Sequence, residues 1–165
     1  MGENTNQLRR PAATGPRLDE RDEMLLGLLA RDASLPYAEL GRQLNLSAPA
    51  VHERVKRLKR DGVIRTTAAL LDGEKLGRKM LAFIEVITEG WGKSGEMLAL
   101  RDLPEVEEMH SVTGEACVFL KVRTVDAQQL EDLLERIYRM QGVRGTKSAV
   151  VLSTFLERGP LPLAG

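Results

Sequence analysis

The stretch MHSVTGEACVFLKV, residues 109–122, holds the chain's one cysteine, Cys117, and one of its two histidines, His110. A two-residue turn centred on Thr113 and Gly114 would set His110 directly across a hairpin from Cys117. Three chemistries use such a pair. A Cys–His nucleophile needs a base and a third group that orients it, and no oxyanion-hole motif follows here. A metal needs more than two ligands to close its shell, and the chain has no Cys/His cluster with zinc spacing. A redox-sensing thiol needs an exposed thiolate, and nothing in the sequence supports one. The ordinary fate of a lone strand cysteine is a small, half-buried hydrophobe. These residues therefore imply no catalytic site, no metal and no cofactor.

A second set of residues carries charge at helical spacing. In SAPAVHERVKRLKRDGVI, Ser47 is a good N-cap, and Val51, Val55 and Leu58 form one narrow apolar stripe. With Val51 turned inward, Pro49, Glu53, Lys56 and Arg60 point outward. Ala50, Arg54 and Arg57 line one flank, and His52 and Lys59 the other. Residues 52–61 hold five Lys/Arg against two Asp/Glu. On an isolated helix this is an ordinary solvated face. As the last helix of a helix-turn-helix it is a nucleic-acid reader. Ser47, Ala48 and Ala50 are small enough for close approach to a groove, and the basic residues that follow reach phosphates. The expected DNA contacts are Ser47, Pro49, Ala50, His52, Glu53, Arg54, Lys56, Arg57 and Arg60. Arg54 and Arg57 are expected to be the main phosphate contacts, and Glu53 can accept from a cytosine amino group.

The elements that position these residues fall into two sets. LDERDEMLLGLLARDAS predicts a helix capped by Asp19, with acids in its first turn and an apolar face of Leu25, Leu28 and Leu29. LPYAELGRQLNLS predicts a short helix with Pro36 in its first turn, closed by Asn45. Leu46 and Val51 have hydrophobic-staple spacing around the start of the third helix. VIRTTAALL then alternates or runs apolar like a strand, which completes a winged helix-turn-helix. After a hinge, LDGEKLGRK, the pattern changes to strand (MLAFIEVIT), helix (WGKSGEMLALRDL), hairpin, helix (DAQQLEDLLERIYRM, capped by Asp126, with Leu130, Leu133, Leu134 and Ile137 on one face) and strand (VRGTKSAVVLSTF). The fold class is α+β, a winged helix-turn-helix plus a ferredoxin-like βαββαβ domain. Expected boundaries are a disordered arm at 1–17, DNA-binding domain 18–66, hinge 67–78, second domain 79–156 and tail 157–165.

One face of the second domain's sheet is covered by its helices. On the other, Cys117, Phe119, Lys121 and Arg123 of one strand join Leu81, Phe83 and Ile87 of another. That half-apolar open face predicts a homodimer through the sheet. Trp91, in the Gly-rich EGWGK, either covers a ligand or packs at a subunit contact, and packing is the commoner fate.

Composition limits the alternatives. The 165 residues carry 24 Lys/Arg and 24 Asp/Glu, so the whole chain is no polycation. Residues 1–67 hold twelve basic against nine acidic side chains (+3), and residues 68–165 twelve against fifteen (−3). A basic first domain and an acidic second one fit DNA binding joined to another task. A single cysteine makes no internal disulfide. No apolar run approaches the ~20 residues that span a bilayer, and the N-terminus has no hydrophobic segment of a secretory signal. MGENTN fits a myristoylation pattern only loosely, with Asn6 where Ser or Thr belongs. These features imply a cytoplasmic protein with no membrane partner. Arg9, Arg10 and Arg17 could brush phosphates as a basic arm, although a solvated tail is the default.

With LDERD, AELGRQLNLS, VHERVKRLKRDGVI, ALLDGEKLG, SVTGEACVFLKV and LLERIYRMQGV in order over residues 18–156, the chain resembles the Lrp/AsnC (feast/famine) transcription regulators. The resemblance implies a sequence-specific regulator of double-stranded DNA. It implies homodimers that assemble further, often into octamers, and a small-molecule effector, an amino acid or related metabolite, bound between subunits. The family commonly has Gly-Asp/Glu-x-Asp in the hairpin beside the effector pocket. The resemblance therefore assigns the effector to Thr113, Gly114, Glu115, Ala116 and Cys117, with Cys117 standing where the second acid belongs. A neutral thiol offers an ammonium group no counter-charge, which implies a less cationic effector, or none. Two alternatives use the same scaffold. One is an enzyme, since similar proteins decarboxylate haem precursors, although this chain has only His52 and His110 to build such a pocket. The other is a metabolite-binding protein without DNA binding, against which the basic helix argues.

Overall fold

The computed structural model describes residues 16–89 and 95–162. It separates into two compact units, one up to Ala69 together with residues from Arg158 on, the other Leu70–Glu157. Trp91 and the Arg9–Arg10 pair lie outside the described residues.

The first unit holds three helices, α1 (Glu20–Arg31), α2 (Tyr37–Leu44) and α3 (Ala48–Arg60). Each begins where local chemistry stops the preceding segment. Asp19 and Asp22 form a reciprocal capping box on α1, with Asp22 N donating to Asp19 at 2.8 Å and Asp19 N to Asp22 at 3.1 Å. Pro36 precedes α2. Ser47 Oγ accepts from Ala50 N at 3.3 Å and caps α3. The turn between α2 and α3 depends on two residues. Asn45 adopts the left-handed conformation at φ 55°. Gly41 lies so close to the Leu46 carbonyl that a Cβ would overlap its oxygen, and Leu46 N donates to Gly41 O at 2.8 Å. The turn seats Leu25, Leu40, Leu44, Val51, Val55 and Leu58 in one core, with Leu46 packed against it.

The strand expected over VIRTTAALL is absent: residues 63–71 form no strand. The end of α3 explains part of this. Gly62, at φ 73°, reverses the chain, and the N–H groups of Val63 and Ile64 both turn back to Leu58 O, at 2.9 and 3.1 Å. Their side chains pack onto the three-helix core. The extended residues that follow have no partner strand among the described residues, and a ladder needs one.

The second unit contains β1 (Met80–Thr88), α4 (Gly95–Ala99) running into a 3₁₀ turn (Leu100–Asp102), β2 (Val106–Ser111), β3 (Val118–Thr124), α5 (Ala127–Tyr138) and β4 (Val143–Val150). The sheet order is β2-β3-β1-β4, with each neighbouring pair antiparallel. Asp126 caps α5 through Gln129 N at 2.9 Å. Ala82, Ile84 and Val86 of β1 and Val118, Leu120 and Val122 of β3 meet Leu130, Leu133 and Ile137 of α5 in the core. The opposite face carries Phe83 and Phe119, whose rings stack at 5.6 Å, beside Lys121 and Arg123.

Candidate nucleic-acid interface and hairpin loop

The sequence periodicity of α3 is matched by its burial. Val51, Val55 and Leu58 are buried, while Ser47, Pro49, His52, Glu53, Lys56, Lys59 and Arg60 are exposed. His52 rests against the Tyr37 ring at 5.6 Å, with Nδ1 3.5 Å from Glu53 Oε1. Arg60 bonds its neighbour Asp61 at 3.1 Å. Ala50, Arg54 and Arg57 form a half-buried flank.

That flank is engaged within the unit. Arg54 Nη1 donates to Asp19 Oδ2 and Asp22 Oδ1, each at 2.7 Å. Arg57 Nη2 lies 2.5 Å from both oxygens of Asp22, whose side chain is 0% exposed. The Arg54 guanidinium holds the Asp19 carboxyl below its ordinary range, and Asp22 N adds to the effect. Asp19 in turn raises Arg54, with help from Asp22. So the two arginines expected to lead on phosphate are paired with acids in this unit. Asp22 reads at first as a dipole-compensating acid in a first turn. The sequence does carry a signal for its burial: residues 22, 25, 26 and 29 share one helix face, three of them leucines, and an acid that stays charged beside an apolar stripe needs a partner.

The hairpin differs from the expected register. His110 pairs with Phe119 and Ser111 with Val118. Val112 N donates to Cys117 O at 3.1 Å, so residues 113–116 make a four-residue loop, with Gly114 at φ 114°. Cys117 therefore faces Val112, not His110. His110 Nε2 sits 3.1 Å from Glu108 instead, and the proposed Cys–His juxtaposition does not occur. Among the described residues no three His, Cys, Asp or Glu side chains converge as a metal site.

Thr113, Gly114 and Glu115 are exposed, Ala116 is buried and Cys117 half-buried, its N–H bonded to Val86 O at 3.1 Å. Glu115 has a partner that local spacing did not reveal: Lys147 Nζ of β4, at 2.9 Å. Lys147 lowers the Glu115 carboxyl, and Glu115 raises the lysine.

A cleft of about 360 Å³ lies elsewhere in this unit, lined by Leu70, Leu76, Glu107, Lys121, Arg123 and Glu157 among others. A bulge between Val106 and Glu108 brings Glu107 to the outer face, where it meets Arg123 Nε at 2.6 Å. Burial works against the charge on Lys121, but Glu157 and Glu107 outweigh it and raise its pKa.

Residues 18–65 match the model of a winged helix-turn-helix DNA-binding domain, and residues 81–161 match the Lrp/AsnC ligand-binding domain. The transcriptional regulator FL11 of Pyrococcus horikoshii is 35% identical over 147 residues, which cover 88% of this chain and 97% of that protein. LrpA of Mycobacterium tuberculosis is 37% identical over 139 residues, 84% of this chain and 92% of that one. Among solved structures, a Neisseria meningitidis transcriptional regulator in complex with L-Met superposes with a TM-score of 0.80 at 28% identity, covering 88% of this chain and 97% of that one. These relatives are named regulators, which sets aside the enzyme alternative. A capped helix-turn-helix, an antiparallel βαββαβ unit and two family models that together span most of the chain lead to one conclusion: the chain belongs to the Lrp/AsnC family and is a DNA-binding transcriptional regulator.

Proposed function

We propose that the chain is a sequence-specific regulator that reads double-stranded DNA with α3 and is controlled by a small metabolite at the β2–β3 hairpin. The observation that carries the DNA assignment is the exposed face of α3. Lys56 and Arg60 follow the small N-terminal residues Ser47, Pro49 and Ala50, on a helix anchored by three buried side chains. His52 and Glu53 border the same face. Arg54 and Arg57 belong to the reading helix, and their pairing with acids defines how they contribute.

The ligand-binding domain match and the L-Met complex of the Neisseria relative support an effector. Thr113, Gly114, Glu115, Ala116 and Cys117 form its proposed rim. Lys147 already neutralises Glu115 there, and Cys117 supplies no second carboxylate. Such a rim favours a ligand without a lone ammonium group, for which a free α-amino acid is a poor match. The half-apolar outer sheet face supports a homodimer, which the family resemblance extends to higher assemblies such as octamers.

The test is titration of duplex DNA from the chain's own upstream region. Affinity should fall steeply as salt rises, because phosphate neutralisation releases counterions, and Lys56→Ala and Arg60→Ala should flatten that dependence. Salt-independent binding, or none, would reject the reading.

A further inference from the structure

We propose that Asp22, assisted by Asp19, is the positioning residue of the DNA-reading helix: its buried carboxylate holds the Arg54 and Arg57 side chains against α1, so these cations orient α3 and do not neutralise phosphates. The inference rests on α3 being the reading helix.

Three observations carry it. Asp22 has a fully buried side chain, and it accepts from Arg54 at 2.7 Å, from Arg57 at 2.5 Å and from the backbone of Asp19 at 3.1 Å. Withdrawing a guanidinium toward DNA would leave a buried carboxylate short of partners, which is strongly unfavourable. Second, the contacts join the start of α1 to the middle of α3, 32 and 35 residues apart in sequence. They act alongside the apolar contacts of Val51, Val55 and Leu58, and they sit on one flank, where they resist rotation of α3 about its axis. Third, two carboxylates and two guanidiniums cancel, so this flank brings no net charge to a phosphate backbone. The cations left on the exposed surface of α3 are Lys56, Lys59 and Arg60.

The salt dependence of binding separates a positioning arginine from a phosphate-binding one. The full chain is titrated against its upstream duplex and against an unrelated duplex from 50 to about 300 mM salt. Loss of one phosphate contact lowers the slope of log K against log salt by about 0.9 per protomer engaged. Arg57→Ala should weaken specific binding by about tenfold, the scale of one lost base contact, with no change in slope. Non-specific affinity should change much less, and Arg57→Lys should recover part of the loss. Asp19→Asn keeps Oδ1 as the helix cap and removes only the charge and the 2.7 Å contact of Oδ2 with Arg54, while Asp22 still holds the guanidinium, so its slope should equal that of the wild type. Thermal unfolding of each variant identifies the folded fraction, to which affinities are referred. A slope lowered by about 0.9 per protomer in Arg57→Ala, or steepened in Asp19→Asn, overturns the inference while leaving the reading of α3 intact. Equal losses on both duplexes also overturn it. Absence of salt-dependent binding in the wild type overturns both.

Discussion

Asp19 and Glu39 show how single side chains set the behaviour of the first unit. Glu39 accepts from Arg42 Nε at 3.0 Å and from Gln43 at 2.9 Å, and the Arg42 guanidinium first, then Gln43, bring its carboxyl down to about 2. Asp19 is lowered from 3.8 by Arg54. Folded values below the unfolded ones mean the unfolded chain binds more protons, so both groups add stability above their unfolded values. That stability is lost as pH falls through the folded values. Thermal unfolding between neutral pH and pH 2 should show Tm holding down to about pH 5 and then declining. A Tm that rises on acidification would contradict the assignment. At the hairpin, Cys117→Asp should restore a second carboxylate beside Glu115. Calorimetry should then show free amino acids binding more tightly to the variant than to the wild type. Equal or weaker binding would separate Cys117 from the effector rim.

At the scale of elements, the turn between α2 and α3 is the joint on which the DNA-binding unit depends. Gly41→Ala places a methyl group into the Leu46 carbonyl, a backbone atom that cannot rotate away. We expect a loss of about 3 kcal/mol in denaturant unfolding, and a neutral result would mean the turn opens at little cost. The caps were legible in the sequence because capping is local: Asp19, Ser47 and Asp126 each accept from a backbone N–H three residues on. The stripes of α3 and α5 were legible for the same reason. The hairpin register was not. Thr113-Gly114 looks like a two-residue turn, but only Gly114 takes a positive φ and the loop holds four residues, which slides His110 two places along β3. The wing strand was misread because an apolar run specifies burial, not pairing. Val63 and Ile64 are absorbed by the helical core.

Over the whole molecule, the pairs that escaped the sequence are those joining distant segments, Asp22 to Arg57 and Glu115 to Lys147, 35 and 32 residues apart. Composition showed the charges but not which of them cancel. The fold class was legible because two periodicities succeed each other along the chain, helical to residue 60 and then strand-rich from residue 80. The outer sheet face is expected to close against a second copy. Phe119→Glu puts a charge beside Phe83, and light scattering should report a smaller assembly than for the wild type. An unchanged mass would move the interface elsewhere.

As proposed, this chain recognises particular DNA sequences through the exposed face of α3. Genome-wide recovery of DNA bound to the chain in its own cells is the decisive measurement, with the Lys56→Ala/Arg60→Ala double variant in parallel. Discrete sites sharing a sequence element are expected for the wild type, with their loss in the variant at equal protein level. Uniform recovery along the genome, or the same sites retained by the variant, would contradict it.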